Sequence, residues 1–352
     1  MNLQKSPPSI GGEISGSGHR LSTCIDWLQV DFRGTSQNGI NLTIKDTYKS
    51  TLVFRKLFEI WQNNYYIASL VNKPIADFLP KDMNLIKLLN KELYYFKPCA
   101  RLNEIGEKIG LIALQPSRID LAIDFNSFAY GYLPQTLISD FFQDKYLKIG
   151  IRKWVIDGEQ KIIPQSKDSI QYNSNITHYL KFSKPDCNVD TYLYNKSKEM
   201  LEVKKKPWII EQWKRAGLNI NKDIWRLEFS LHNPRFIVRD NLTGITERFN
   251  WLRLDDKKYL NNVLNILINK YFDFRKNTYI KDIRAMPKVK LFSNIKDTSI
   301  TWDRSDSIEG KKGDKLFLKK LNQLNDEVRN IYTDIENSAE TVINYFKVTR
   351  DI

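Results

Sequence analysis

The segment Ser117-Arg118-Ile119-Asp120-Leu121-Ala122-Ile123-Asp124-Phe125 sets two carboxylates and a guanidinium at alternate positions among aliphatic residues. Side chains of a β-strand alternate faces, so Ile119, Leu121, Ile123 and Phe125 share one face and Arg118, Asp120, Ala122 and Asp124 the other. Two acids spaced by a small alanine, with an arginine beside them, suit a hard metal or a phosphate. Trp225-Arg226-Leu227-Glu228-Phe229-Ser230-Leu231 repeats the pattern, with Trp225, Leu227, Phe229 and Leu231 apolar and Arg226, Glu228 and Ser230 opposite. If both strands lie in one sheet with polar faces on the same side, Asp120, Asp124 and Glu228 could converge on Mg²⁺ or Mn²⁺, which prefer oxygen ligands. Asp26 could join them. The bland alternative is a solvated sheet face crossed by Arg–carboxylate pairs.

A third segment, Asp190-Thr191-Tyr192-Leu193-Tyr194-Asn195-Lys196-Ser197-Lys198-Glu199, puts Tyr192, Tyr194 and Lys196 on one strand face. A phenol with its ordinary pKa of about 10 is a poor nucleophile at neutral pH unless a cation or a base eases formation of the phenolate. On DNA a tyrosine is nonetheless useful, because a phosphotyrosine ester keeps the energy of the broken phosphodiester and lets the strand be rejoined. The competing reading is packing, with the hydroxyl at the rim.

These segments need elements to hold them. Ser22–Phe32 (STCIDWLQVDF) reads as a strand, and 48–64 and 81–95 read as amphipathic helices. A strand over 117–125, a strand pair at 176–183 and 190–195, a strand over 225–231 and a helix over 255–272 follow. Between the last two strands a short helix is opened by Pro207 and closed by Gly217. The interleaving predicts an α+β fold, an antiparallel β-sheet core with flanking helices. Residues 1–20, rich in Ser, Gly and Pro, read as a tail, 21–300 as the main domain, and 301–352 as a linker with a C-terminal helix. In that helix Leu321, Leu324, Val328, Ile331, Ile335, Val342 and Phe346 lay one apolar stripe over about 314–347. The stripe suits a seam between two copies in a homodimer, or packing on the main domain.

Composition narrows the partners. The 352 residues carry 55 Lys and Arg against 41 Asp and Glu, a formal charge of +14, which favours a polyanion such as nucleic acid. The alternative, an anionic membrane surface, would want a basic amphipathic helix, whereas here the cations are spread along the chain. The three cysteines, Cys24, Cys99 and Cys187, form no CxxC pair, so neither a disulfide framework nor a structural zinc site is indicated. No apolar run is long enough to span a bilayer, and the first residues lack a signal peptide's apolar centre, so a cytoplasmic protein is expected. Neither GxGxxG nor GxxxxGK[ST] occurs.

In order along the chain, IDWLQVDF, SRIDLAIDF, YLYNKSKE and WRLEFSL resemble the rolling-circle replication initiators of the plasmid replication initiation factor family, related in plan to filamentous-phage gene II and X initiators. The likeness spans roughly 23–290. It implies that Tyr194 is the nicking tyrosine, that Asp120, Asp124 and Glu228 are metal ligands, and that Arg118, Lys196 and Arg226 contact phosphate or support the site. It further implies a nickase acting on a double-stranded origin and on the single strand at the nick, with a host helicase as partner. Some positions depart from the family. His19, His178 and His232 are scattered rather than paired as in His-hydrophobic-His initiators, Tyr192 stands where many relatives carry Arg and so competes with Tyr194 as nucleophile, and ITHYLKFS matches poorly. His178 there could bind metal, activate the tyrosine or simply fill the sheet. Two other functions fit the same composition. One is non-catalytic binding of DNA or RNA by a charged groove and stacking rings, and the other is an assembly protein organised by the C-terminal helix.

Overall fold

The computed structural model describes residues 20–292, except 77–78, 95–96, 150–152, 157–158, 162–178, 184–187, 203–204 and 240–245. The expected C-terminal helix and its linker, nearly all of the expected tail, and His178 lie outside the described residues.

The chain opens with β1 (Ser22–Arg33), then a meander of β2 (Leu42–Lys49), β3 (Phe54–Gln62), β4 (Tyr65–Pro74) and β5 (Met83–Leu88). A 3₁₀ turn at Asn90–Tyr94 leads into α1 (Pro98–Lys108), β6 (Ile112–Phe125) and α2 (Pro134–Phe142). Short strands β7 (Tyr146–Lys148), β8 (Lys153–Ile156) and β9 (Glu159–Lys161) precede the hairpin of β10 (Tyr179–Ser183) and β11 (Val189–Asn195). Then come α3 (Lys196–Glu202), α4 (Pro207–Arg215), β12 (Trp225–His232), β13 (Ile237–Arg239), β14 (Thr246–Arg248), α5 (Lys257–Tyr271) and β15 (Phe274–Lys276). Eleven strands form one sheet in the order β2-β3-β4-β5-β1-β6-β12-β11-β10-β8-β9, every neighbouring pair antiparallel.

The expected sheet core is therefore present, and its two faces follow the period of two. One face is aliphatic and aromatic: Leu28, Val30 and Phe32 of β1, Ile119, Leu121 and Ile123 of β6, and Leu227 and Phe229 of β12 are all buried there. Helices cover this face. Gly106 of α1 lies so close to Phe32 that a Cβ would sit 2.1 Å from its ring. Val263, Leu264 and Leu267 of α5 join the same core, and Phe141 of α2 meets Phe182 of β10 edge-on. The Asp255 carboxylate accepts the Cys99 and Ala100 amides at 3.0 and 2.8 Å, satisfying orphan donors at the start of α1.

Two expected helices are strands instead. The segment 48–64 ends in β3, and its Asn63-Asn64, with φ of 48° and 66°, makes the two-residue turn that returns the chain as β4. Its apolar residues fit a helical step equally well, but the Asn-Asn turn and the β-branched and aromatic run after it favour pairing. Over 83–88 the buried residues are Asn84, Ile86 and Leu88, an alternation that belongs to a strand, and the 3₁₀ turn that follows buries Glu92 and Leu93. Helices α1 and α2, each opened by Pro, were not expected. The α4 boundaries agree with the reading from Pro207 and Gly217, whose φ is +71°.

Because Gly106 has no room for a side chain, Gly106→Ala is expected to lower stability by about 1–3 kcal/mol. Urea unfolding would report this as a lower midpoint with an unchanged slope.

Candidate functional site

The second face of the sheet gathers the residues singled out by sequence. Register sets Tyr194 opposite Arg226 and Arg226 opposite Asp124, and likewise Asp190 opposite Ser230 and Ser230 opposite Asp120. Polar residues of β1, β6, β12 and β11 thus share one surface, as the alternation required. Near Asp124 this surface is roofed by α4, whose Trp213 belongs to a small second core with Met200, Ile209, Leu218 and Ile224. It is therefore a buried polar layer here and not a solvated face.

Arg226 is at its centre, with 0% of its surface exposed. Its Nε and one terminal nitrogen donate to the two oxygens of Asp124 at 2.6 and 2.8 Å, and the other terminal nitrogen is paired with Asp26 at 2.8 Å. Tyr94, from the 3₁₀ turn, accepts from Arg226 at 3.1 Å and donates to Asp26 at 2.6 Å. Trp213 donates its indole N–H to Asp124 at 2.7 Å. Burial would push the Asp26 carboxyl up, but the nearby Arg226 and Lys196 cations hold it below the usual carboxylate range. The same burial carries the Cys24 thiol, beneath this cluster, up to about 12.

A second pair lies next to it. Arg118 forks onto Asp120 at 2.9 and 2.7 Å, and Ser230 donates to Asp120 at 2.6 Å. Between the two arginine pairs stands Glu228. Its carboxyl is lifted to about 7 by burial and by the negative charges of Asp120 and Asp26, against Arg226 and Lys196. The Tyr194 hydroxyl donates to Glu228 Oε2 at 2.8 Å, and Lys196 Nζ reaches the same hydroxyl at 3.4 Å. Burial and the Glu228 charge push this phenol well above its ordinary value. Lys196, 1% exposed, is also paired with Glu199 at 2.6 Å.

Local sequence explains this placement. Tyr194 is the penultimate residue of β11. Asn195 accepts the Lys198 amide at 2.9 Å and so turns the strand into α3, while the Lys196 and Ser197 amides both donate to the Ile224 carbonyl just ahead of β12. The strand end and the helix start are thereby tied to the strand that carries Glu228.

The three carboxylates read as metal ligands do not gather around one point. Asp124 accepts three hydrogen bonds from Arg226 and Trp213, and Asp120 three from Arg118 and Ser230. Among the described residues no group of three or more His, Cys, Asp or Glu side chains is arranged to hold a metal ion. In this arrangement the residues do not fit a carboxylate-held Mg²⁺ or Mn²⁺. Arg226, with none of its surface exposed, is enclosed by Asp124, Asp26 and Tyr94. Sequence reading missed Tyr94 and Trp213: the first sits in a segment taken for a helix, and the second shows only as one aromatic in an amphipathic turn.

No protein-family model matches the chain, and no curated protein matches it either. Among solved structures, the rolling circle replication initiator protein from Geobacillus stearothermophilus aligns over 80% of this chain and 99% of its own, with 13% identity and a TM-score of 0.44. Among the described residues no helix is long and apolar enough to cross a membrane.

Removing the buried cation strands two carboxylates, so Arg226→Met is expected to cost about 3–5 kcal/mol of stability. Arg118→Met, at a side chain 20% exposed, should cost clearly less; equal losses in denaturant unfolding would refute the distinction. Glu228 binds its proton more tightly when folded than the ordinary 4.5, so its stabilising effect is complete below about pH 4.5 and is lost as pH rises through about 7. Glu228→Gln should remove that slope from a stability–pH series.

Proposed function

We propose that this protein nicks DNA and transfers the strand through a covalent 5′-phosphotyrosine at Tyr194, as in initiation of rolling-circle replication or of conjugative transfer. The observation that carries the reading is the Tyr194–Glu228 hydrogen bond, with a carboxyl poised near neutrality and Lys196 beside the same oxygen. A general base is most useful when its pKa lies near the working pH, and Glu228 meets that condition. In the step proposed, the Tyr194 oxygen attacks the scissile phosphorus while Glu228 takes the phenolic proton. The bond from phosphorus to the 3′ oxygen breaks, the 5′ phosphate stays on the tyrosine, and the departing 3′ oxygen takes a proton from solvent. Lys196 offsets charge on the phenolate, and Arg118 holds Asp120 beside Glu228, which keeps the base from being too acidic.

The same geometry favours Tyr194 over Tyr192. The Tyr192 hydroxyl donates to Asp190 at 3.2 Å, but Asp190 is itself paired with Lys181 at 3.1 Å, so a cation competes for the carboxylate that accepts from this phenol. Among the described residues no ligand set for Mg²⁺ or Mn²⁺ is assembled beside Tyr194. The charge of +14 supports DNA as partner, both a duplex origin and the single strand at the nick.

Denaturing gels of labelled DNA from the source element, run with and without divalent cations, test this. A covalent protein–DNA band is expected for wild type and for Tyr192→Phe, and none for Tyr194→Phe. Glu228→Gln should slow adduct formation by roughly 10²–10⁴-fold, and the wild-type rate should rise with pH through about 7 while the variant's does not. Salt-sensitive binding of cognate DNA with no band would favour non-catalytic nucleic-acid binding instead.

A further inference from the structure

The polar face does not stop at the nucleophile. One cross-strand row runs without interruption over seven strands: Lys45 is opposite Glu59, Glu59 opposite Ser69, Ser69 opposite Lys87, Lys87 opposite Gln29, Gln29 opposite Arg118 and Arg118 opposite His232. At a strand spacing of about 4.8 Å, six steps make a row about 29 Å long. Over β2 to β5 Lys45 is exposed on this face, and Lys87 and Trp61 are half-buried.

Two tryptophans flank the row on the same face, each carrying a lysine. Lys45 Nζ sits 3.9 Å from the Trp61 ring centre, and Lys87 Nζ sits 3.2 Å from that of Trp27, which also holds the Arg118 guanidinium at 4.5 Å. Lys87 has no carboxylate within ion-pair distance among the described residues. Burial and Arg118 press its ammonium down to about 8, with Asp120 opposing, so an anion placed there would relieve an uncompensated charge.

We propose that this face of β2, β3, β4, β5, β1 and β6 is a binding track for single-stranded DNA, with Lys45 and Lys87 swinging from the rings to backbone phosphates and so leaving Trp61 and Trp27 to floor the bases. Cations interleaved with aromatic rings on an open face are the equipment for a single strand, whose bases are free to stack. Duplex readers instead send a helix or ribbon into a groove, whereas Lys45, Trp61, Lys87 and Trp27 all lie on strands of one sheet. The row continues into Arg118 and Asp120, so the track leads to the Tyr194 site. The assignment rests on the reading of that site as one that acts on DNA.

The test is fluorescence anisotropy with a labelled 20-nucleotide oligo-dT and a 20-base-pair duplex, from about 50 to 200 mM salt, using the full chain. Lys45→Met/Lys87→Met should bind oligo-dT roughly tenfold more weakly, and its log–log salt slope should be shallower by about 1.4, since each phosphate left without its lysine lowers the slope by about 0.7. Lys45→Met alone, at an exposed position, should shift the slope by about 0.7. An unchanged slope and affinity in both variants overturns the track, as does equal weakening on duplex. Nicking is scored separately. Wild-type nicking with unchanged slopes sinks the track alone, whereas altered slopes with no covalent band in wild type keep the track and sink the nickase.

Discussion

A fully buried guanidinium can persist only where carboxylates and hydrogen-bond acceptors surround it, and Arg226 meets that demand from three separate stretches of chain. Asp124 comes from the central strand β6, Asp26 from its neighbour β1 and Tyr94 from the turn after the meander. A one-residue slip of β12 would throw Arg226 onto the apolar face among Leu121 and Ile123 of β6 and Leu193 of β11. The network thus fixes register and, with it, the height at which Glu228 stands, two residues further along the strand. Whether such a cluster adds net stability is secondary to its effect on position.

Position then sets acidity. Glu228 lies between two arginine–aspartate pairs, close enough to feel Asp120 and Asp26 but not directly bonded to either arginine. Asp124 and Asp120 are held by forked guanidinium contacts, whereas Glu228 accepts from a phenol. Carboxylates on one sheet face therefore take separate roles through their partners alone: two anchor the scaffold and one remains available to a proton.

Much of this was legible in the sequence because the period of two is hard to disguise. SRIDLAIDF and WRLEFSL announce two-faced strands, and Arg–carboxylate pairs across their polar faces needed only the assumption that they lie in one sheet. What could not be read was which acid meets which base, since Asp120, Asp124 and Glu228 look alike until register is known. The meander was misread for a different reason. Leu57, Phe58, Ile60 and Trp61 suit a helical step as well as a strand, and the Asn63-Asn64 turn that decides between them is two residues long. Tyr94 and Trp213 reach the network through tertiary packing, which no local pattern encodes.

The bond between Arg226 and Asp124 closes a loop of 102 residues, while the strands of the β2–β5 meander meet across short turns. Synthesis proceeds from the N-terminus, so the meander can pair while the ribosome is still far from residue 226. Asp26 and Asp124 cannot settle in their final burial during that interval, for they would be two enclosed anions with no cation between them. The nascent chain must keep that end of the sheet open to water until β12 is delivered, and only then does Tyr194 meet Glu228.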